Sequence, residues 1–295
     1  MRIAVTGASG LIGRALVTAL GEAGDDVRPL VRRQSGPGEI GWDPTAGRLD
    51  PRALAGIDAV VHLAGAGIGD RRWTDARKQI VLRSRVESTA LLARTVASMD
   101  NPPKAMVSAS AIGYYGDRGD ETLTETSAAG SGFQAEVCQA WEQATAPAES
   151  AGIRVVHLRS AVVLSRRGGA LGRQLPLFRL GLGGRLGSGR QWLSWISLRD
   201  EVAVIRRAID DAGLVGPVNA AAPAPVTNRE FTRALGRALH RPAVLAVPPV
   251  VLRLVLGRDL ADELLLGSVR VVPAKLTEAR FPFEDPRLDS ALSVP

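Results

Sequence analysis

Val5-Thr6-Gly7-Ala8-Ser9-Gly10-Leu11-Ile12-Gly13 decides the reading of this 295-residue chain. The apolar run Arg2-Ile3-Ala4-Val5 before it reads as a buried strand, and Arg14-Ala15-Leu16-Val17-Thr18-Ala19-Leu20 after it repeats its apolar residues at helical spacing. Strand, glycine turn and helix together are the context in which a glycine pattern predicts dinucleotide binding. Gly7 takes the tight turn out of the strand, Gly10 lets a pyrophosphate approach the main chain, and Gly13 lets the helix pack closely on the sheet. The helix N-terminus then offers unpaired N–H groups to anionic phosphates. The spacing is G-x-x-G-x-x-G, a variant of the more familiar G-x-G-x-x-G.

Working outward, Asp26–Val31 reads as a second strand and ends in Arg32-Arg33. In NAD-binding sites of this type, an acidic residue about 20 residues past the glycines accepts bonds from the ribose 2′-hydroxyl. Here two guanidinium groups stand instead, suited to a bidentate grip on a 2′-phosphate, so Arg32 and Arg33 favour NADP over NAD. The competing reading is a solvated arginine-rich loop. Further strands are expected at Glu39–Asp43, Ala59–Gly65, Ala105–Ser110 and Arg154–Arg159, with helices at Thr74–Ala97 and Phe133–Ala148. This alternation predicts an α/β fold, a doubly wound parallel sheet of Rossmann type. Ser110 and the segment Ala111–Gly116 then fall at a strand's C-terminal end, where such sheets bind ligands. His62, inside an apolar run, reads as a satisfied core histidine, and Asp117–Ser131 as a mobile polar loop.

From about residue 165 the texture changes. Gly181–Gln191 is rich in glycine and arginine and runs into Trp192-Leu193-Ser194-Trp195-Ile196. It reads either as a clamp for an anionic substrate or as a plain surface loop closed by two packing tryptophans. Asn228–Leu239 is expected to be helical, capped by Thr227 or Asn228. The organisation expected is a cofactor domain over 1–165, joined by a returning strand near 215–220, a substrate-side subdomain over 166–247 and a C-terminal segment over 248–295.

Composition narrows the function classes. The net charge of +7 comes from basic residues spread along the whole chain, nearly all arginine, with only Lys78, Lys104 and Lys275 as lysines. No basic run is interleaved with aromatics, so nucleic acid is not an expected partner. One cysteine, Cys138, excludes an internal disulfide framework. His62, His157 and His240 lie too far apart in sequence to form a zinc motif with it. With neither a signal-peptide pattern nor an apolar run of about 20 residues, a cytoplasmic protein without membrane partners is expected, as monomer or homodimer.

Thr6–Gly13, His62–Gly65 and Ser110–Gly116 together resemble the extended short-chain dehydrogenase/reductase superfamily, of nucleotide-sugar epimerase and dehydratase type. Ser110–Gly116, Trp141-Glu142, Gly181–Ile196 and Pro223–Asn228 resemble more closely an atypical subgroup of it. Its members carry epimerase-family or cell-division-inhibitor-like labels and a short C-terminal domain of unknown function. The resemblance implies cofactor contacts from Gly7, Ala8, Ser9, Gly10, Leu11, Ile12 and Gly13, from Leu63, Ala64 and Gly65, and from Arg85 and Ser108, besides Arg32 and Arg33. It also implies a tyrosine acid/base, a lysine four residues later and a serine on the preceding strand end. Ser110 matches that serine, but the tyrosine and lysine positions fall near Gln134 and Cys138. The superfamily's asparagine in the preceding helix is replaced by Ser84-Arg85, and Ser197-Leu198-Arg199-Asp200 keeps only the expected aspartate. Three functions therefore stand. One is an NADP-dependent oxidoreductase or epimerase acting on a small substrate through Tyr114 and Ser110. The others are a catalytically silent NADP(H)-binding sensor and a cell-division-related partner protein.

Overall fold

The computed structural model describes residues 1–293. Its central sheet is built from β1 (Arg2–Thr6), β2 (Asp26–Val31), β3 (Ile40–Gly41), β4 (Ala59–His62), β5 (Ala105–Ala111), β6 (Arg154–Ser160) and β7 (Gly216–Ala220). They run parallel in the order β3-β2-β1-β4-β5-β6-β7, so the strand order reverses between β1 and β4 and leaves a crevice there. This is the doubly wound Rossmann-type sheet expected from the sequence.

Side-chain alternation explains how the sheet is covered on both sides. Ile3, Val5, Val61, Val107, Val156 and Leu158 pack one face against α1 (Leu11–Glu22) and α4 (Leu198–Asp210). Ala4, Val60, Met106 and Val155 fill the other, beneath Leu91, Leu92 and Val96 of α2 (Asp75–Ala97). Helix α2 begins at Thr74, whose hydroxyl accepts from the Arg77 N–H and satisfies one otherwise unpaired donor. The helix expected over Phe133–Ala148 is instead divided into α3 (Phe133–Gln143) and a short helix Ala146–Ser150. Pro147 has no N–H to continue the first, and Thr145 bridges the break by donating to the Glu142 carbonyl.

A third apolar cluster lies to one side of the sheet. Trp195, Phe178, Leu171 and Leu175 meet Phe231 and Leu235 of α5 (Asn228–Ala238), which begins with a full Thr227–Glu230 capping box. The glycine-rich stretch is not a free loop. Gly184–Leu186 forms a parallel ribbon with Leu245–Val247, and a Cβ on Gly184 would lie 2.4 Å from the Leu245 carbonyl oxygen. Close backbone approach, rather than flexibility, accounts for that glycine. Asp117–Ser131 is likewise fastened, contrary to the mobile loop expected. Thr122–Leu123 pairs with Arg270–Val271, and the buried Glu125 accepts from the Asn219 N–H at 3.1 Å.

Candidate functional site

Each glycine of the turn has a separate geometric reason. Gly7 has φ +68°, and a Cβ there would lie 2.8 Å from the Leu63 carbonyl group at the end of β4. A Cβ on Gly13 would meet the Gly7 carbonyl oxygen at 2.1 Å, so α1 rests directly on the turn. At Gly10 a Cβ would approach only Gly7 O, at 3.2 Å, and its outer side is open. Among the described residues no side chain caps α1, so its first-turn N–H groups point into the crevice without a side-chain acceptor. Ser9 and Gly10 are exposed at its mouth, with Ala8, Leu11 and Ile12 partly so. The turn and the first N–H groups of α1 form an open cradle of backbone donors, the kind of site that accepts an anion.

The opposite wall is set by a hydroxyl that the sequence reading passed over. Thr6 Oγ1 accepts from the N–H groups of Leu63 and Ala64, at 3.0 and 3.2 Å, and lies 2.7 Å from His62 Nδ1. With two donors already on it, that oxygen gives its own proton to Nδ1, and Nε2–H then faces Ser88 Oγ at 3.2 Å. Burial pushes His62 down to about 3, so it stays neutral as a core histidine. Gly65 is exposed just beyond, and Arg85 packs against it while donating to the Ala66 and Val81 carbonyls. The Arg85 guanidinium also lies 4.9 Å from the Trp141 ring, so it shapes this loop from beneath. Ser108 is one step inside the sheet, in register with His62 and only 1% exposed, closed off from the crevice.

The two arginines after β2 part company. Arg33 is spent on Glu39, donating to its oxygens at 2.8 and 2.5 Å. Arg32 is exposed and has no ion-pair or hydrogen-bond partner among the described residues.

Beside the crevice, register aligns Ser110, Arg159 and Asn219 across β5, β6 and β7. Parallel partners share a face, so three polar side chains form one row beneath α3. Glu142 reaches down from that helix. It accepts from Ser110 Oγ at 2.7 Å and takes a two-pronged grip from Arg159, both bonds 2.8 Å. Arg159 also donates to the Tyr115 hydroxyl at 3.0 Å, which donates to Asn219 Oδ1 at 2.7 Å. The pairing with Glu142 holds the buried Arg159 guanidinium charged. Ser110 and Tyr114 are thus brought to one neighbourhood but in different states. Ser110 is 5% exposed and committed to Glu142. Tyr114 is half-buried, its ring 3.4 Å from the Arg159 guanidinium, and its hydroxyl has no partner among the described residues. Glu142, Arg159, Tyr115 and Asn219 escaped the sequence reading as site residues. No spacing rule links residues on four separate elements, although Trp141-Glu142 carries part of the family resemblance.

Neither residue at the expected tyrosine and lysine positions supplies acid/base chemistry. Gln134 donates to the Glu263 carbonyl at 3.0 Å, and Glu263 caps α3 through the Phe133 and Gln134 N–H groups. Cys138 is buried, and burial pushes its thiol up to about 11, leaving it protonated.

A sequence profile of the NAD dependent epimerase/dehydratase family matches residues 3–221, and one of a domain of unknown function, DUF1731, matches 247–293. The chain belongs to this epimerase/dehydratase family. An epimerase family protein of Mycobacterium tuberculosis is 48% identical over 291 residues, covering 98% of this chain and 96% of the relative. Epimerase family protein SDR39U1 of Homo sapiens is 38% identical over 296 residues, covering 99% and 98%. The crystal structure of human SDR39U1 (isoform 2) with NADPH superimposes with a TM-score of 0.92 at 36% identity, covering 99% of this chain and 98% of that one. A nucleoside-diphosphate sugar epimerase from Corynebacterium glutamicum gives 0.82 at 40% identity, covering 99% of this chain and 57% of that one.

Among the described residues, no helix of this epimerase-family chain is long and apolar enough to cross a membrane, and no group of three His, Cys, Asp or Glu could hold a metal. One buried acid at the end of β6 carries a pH signature. Ser160 Oγ, at the end of β6, donates to Glu201 at 2.6 Å, and burial pushes Glu201 up to about 7. The unfolded chain releases that proton near pH 4.3, so the native state binds the extra proton between the two values and stability falls as pH rises through 7. His62 acts in the opposite sense below about pH 6.5, since only the unfolded chain protonates it there. Comparison with Glu201→Gln isolates the first effect. Relative to that variant, the wild type should lose about 2 kcal/mol between about pH 5.5 and 8 in urea unfolding. A constant difference would show that Glu201 ionises normally.

Proposed function

We propose that this epimerase-family chain binds NADP(H) and catalyses an oxidoreductase or epimerase reaction on a small substrate, with Tyr114 moving the proton. The observation that carries the cofactor is the turn, where Gly7 and Gly13 leave no room for a Cβ while the first turn of α1 is uncapped and open. The NADPH in the crystal structure of human SDR39U1 supports the same reading. Arg32, unpaired, is the residue to take the 2′-phosphate, whereas Arg33 is held back by Glu39. Gly10, Leu11 and Ile12 would receive the pyrophosphate, and Leu63–Gly65 would line the path toward the nicotinamide.

When bound, the nicotinamide ring gives or takes a hydride. The chain's own share is to hold the substrate oxygen and its proton. Tyr114 is suited to this because Arg159 and the edge of Tyr115, 5.3 Å away between ring centroids, fix its ring while its hydroxyl remains uncommitted. Ser110 acts as a positioning residue, anchoring Glu142 and through it Arg159. Arg32→Ala should weaken NADPH binding about 10- to 100-fold in a titration while leaving NADH unchanged, and Arg33→Ala should do much less. Tyr114→Phe should abolish NADPH turnover found with any carbonyl or nucleotide-sugar substrate, with cofactor affinity retained. Unchanged turnover in that variant would remove Tyr114 from the reaction.

A second reading, a catalytically silent NADP(H) sensor, is favoured by one observation. The protonated Cys138 and the capped Gln134 stand where the superfamily's acid/base pair is expected. Tight NADPH binding with no turnover across a broad substrate screen would decide for it.

A further inference from the structure

We propose that the outer face of α5 is a docking groove for an acidic amphipathic helix of a partner protein. This surface lies apart from the crevice. Arg229, Arg233 and Arg237 recur every four residues along one stripe of α5, and Arg241 continues it beyond the helix end. Arg185 faces them from the neighbouring ribbon, and together they line an open groove of about 1070 Å³ whose lining contains no Asp or Glu.

Elsewhere in the chain several arginines carry a counterion one helical turn on. Arg206 and Arg207 of α4 are each followed four residues later by a paired aspartate, and Arg258 is followed by Asp262. On α5 the residue four places on is another arginine, a repulsive arrangement that the fold does not need. Intramolecular acids leave the stripe largely unneutralised. Glu230 is committed to the capping box, and among the described residues only Arg237 has an ion pair, with the exposed Asp289 at 3.3 Å. Arg229 and Arg241 donate to the Ser188 and Arg179 carbonyls, bonds that orient a guanidinium without cancelling its charge. Arg233 has no partner among the described residues.

Two features select the occupant. Four helical residues rise about 6 Å, so the stripe matches carboxylates placed every four residues on a second helix. Val244, 82% exposed, and Leu245, 46% exposed, form an apolar lip beside the arginines that would cover leucines adjacent to those acids. The groove lining contains no Phe, Tyr or Trp, and His240 is its single aromatic ring, so it lacks the row of aromatic platforms on which successive nucleobases stack.

The test uses the full chain and a labelled, alanine-based peptide of about 18 residues carrying glutamates every fourth position beside a leucine stripe. Binding is read by fluorescence anisotropy against a scrambled peptide of identical composition. The patterned peptide should bind at least about tenfold more tightly than the scrambled one, and Arg233→Glu with Arg237→Glu should abolish the difference. The double variant should keep its NADPH affinity, since neither residue touches the crevice, and loss of the exposed Arg237–Asp289 pair should move the melting temperature little. Equal binding of both peptides, or indifference to the double reversal, would overturn the proposal. So would tighter reversal-sensitive binding of tripolyphosphate, a single-stranded oligonucleotide or phosphatidylglycerol vesicles.

Discussion

Gly13→Ala should remove dinucleotide binding and cost about 2–3 kcal/mol of stability, a large loss for one methyl group. The new Cβ would fall 2.1 Å from the Gly7 carbonyl oxygen and 2.8 Å from the Ala8 Cα. Both obstacles are backbone, so no side chain can swing aside and α1 must lift off the turn. Its first-turn N–H groups would then leave the position at which they converge on the crevice. Gly21 supplies the control, because it lies in the same helix with nothing within 4 Å of its would-be Cβ. Gly21→Ala should stabilise by about 0.5–1 kcal/mol through helix propensity alone. Thermal unfolding of both variants with and without NADPH checks the contrast. An NADPH-induced rise in melting temperature retained in Gly13→Ala would refute the cradle.

Glu142→Ala should lower stability by about 3–5 kcal/mol, the usual consequence of leaving one member of a buried ion pair alone. Side-chain exposures of 4% for Arg159 and 11% for Glu142 leave little solvent to compensate the orphaned guanidinium. The loss should extend to the site, because Ser110 gives up its acceptor and the cation beneath Tyr114 is released. Removing the charge as well, in Glu142→Leu with Arg159→Met, should recover much of the stability but none of the turnover. Urea unfolding of the single and double variants separates these effects. A double variant no more stable than Glu142→Ala would mean that the pair contributes through shape rather than charge.

The central sheet of the protein was legible in the sequence because its signals are local. The strands from β1 to β6, the glycine turn and the Thr227 cap each declare themselves within a few residues. The segments outside the sheet were not, because their organisation is made by contacts distant in sequence. Thr122–Leu123 pairs with Arg270–Val271, two-residue strands with no periodicity to read. Gly184 and its neighbours looked flexible because glycine signals both mobility and close packing, and only the Leu245 backbone distinguishes them. Arg32 and Arg33 were equivalent in sequence and are separated by Glu39 alone. Ser110 had looked free to act, but its position at a strand end says nothing of the carboxylate that reaches down from α3. What sequence did reveal about the chemistry was the loss of the tyrosine–lysine pair, and the burial of Cys138 gives that loss its physical meaning.

The most direct test of the account is a crystal structure of this chain grown with NADPH. It should show the pyrophosphate on the N-terminus of α1, the 2′-phosphate held by Arg32 with Arg33 still on Glu39, and the nicotinamide on the side of the crevice that Tyr114 faces. A dinucleotide bound away from the glycine turn, or a 2′-phosphate left in solvent with Arg32 turned aside, would contradict it.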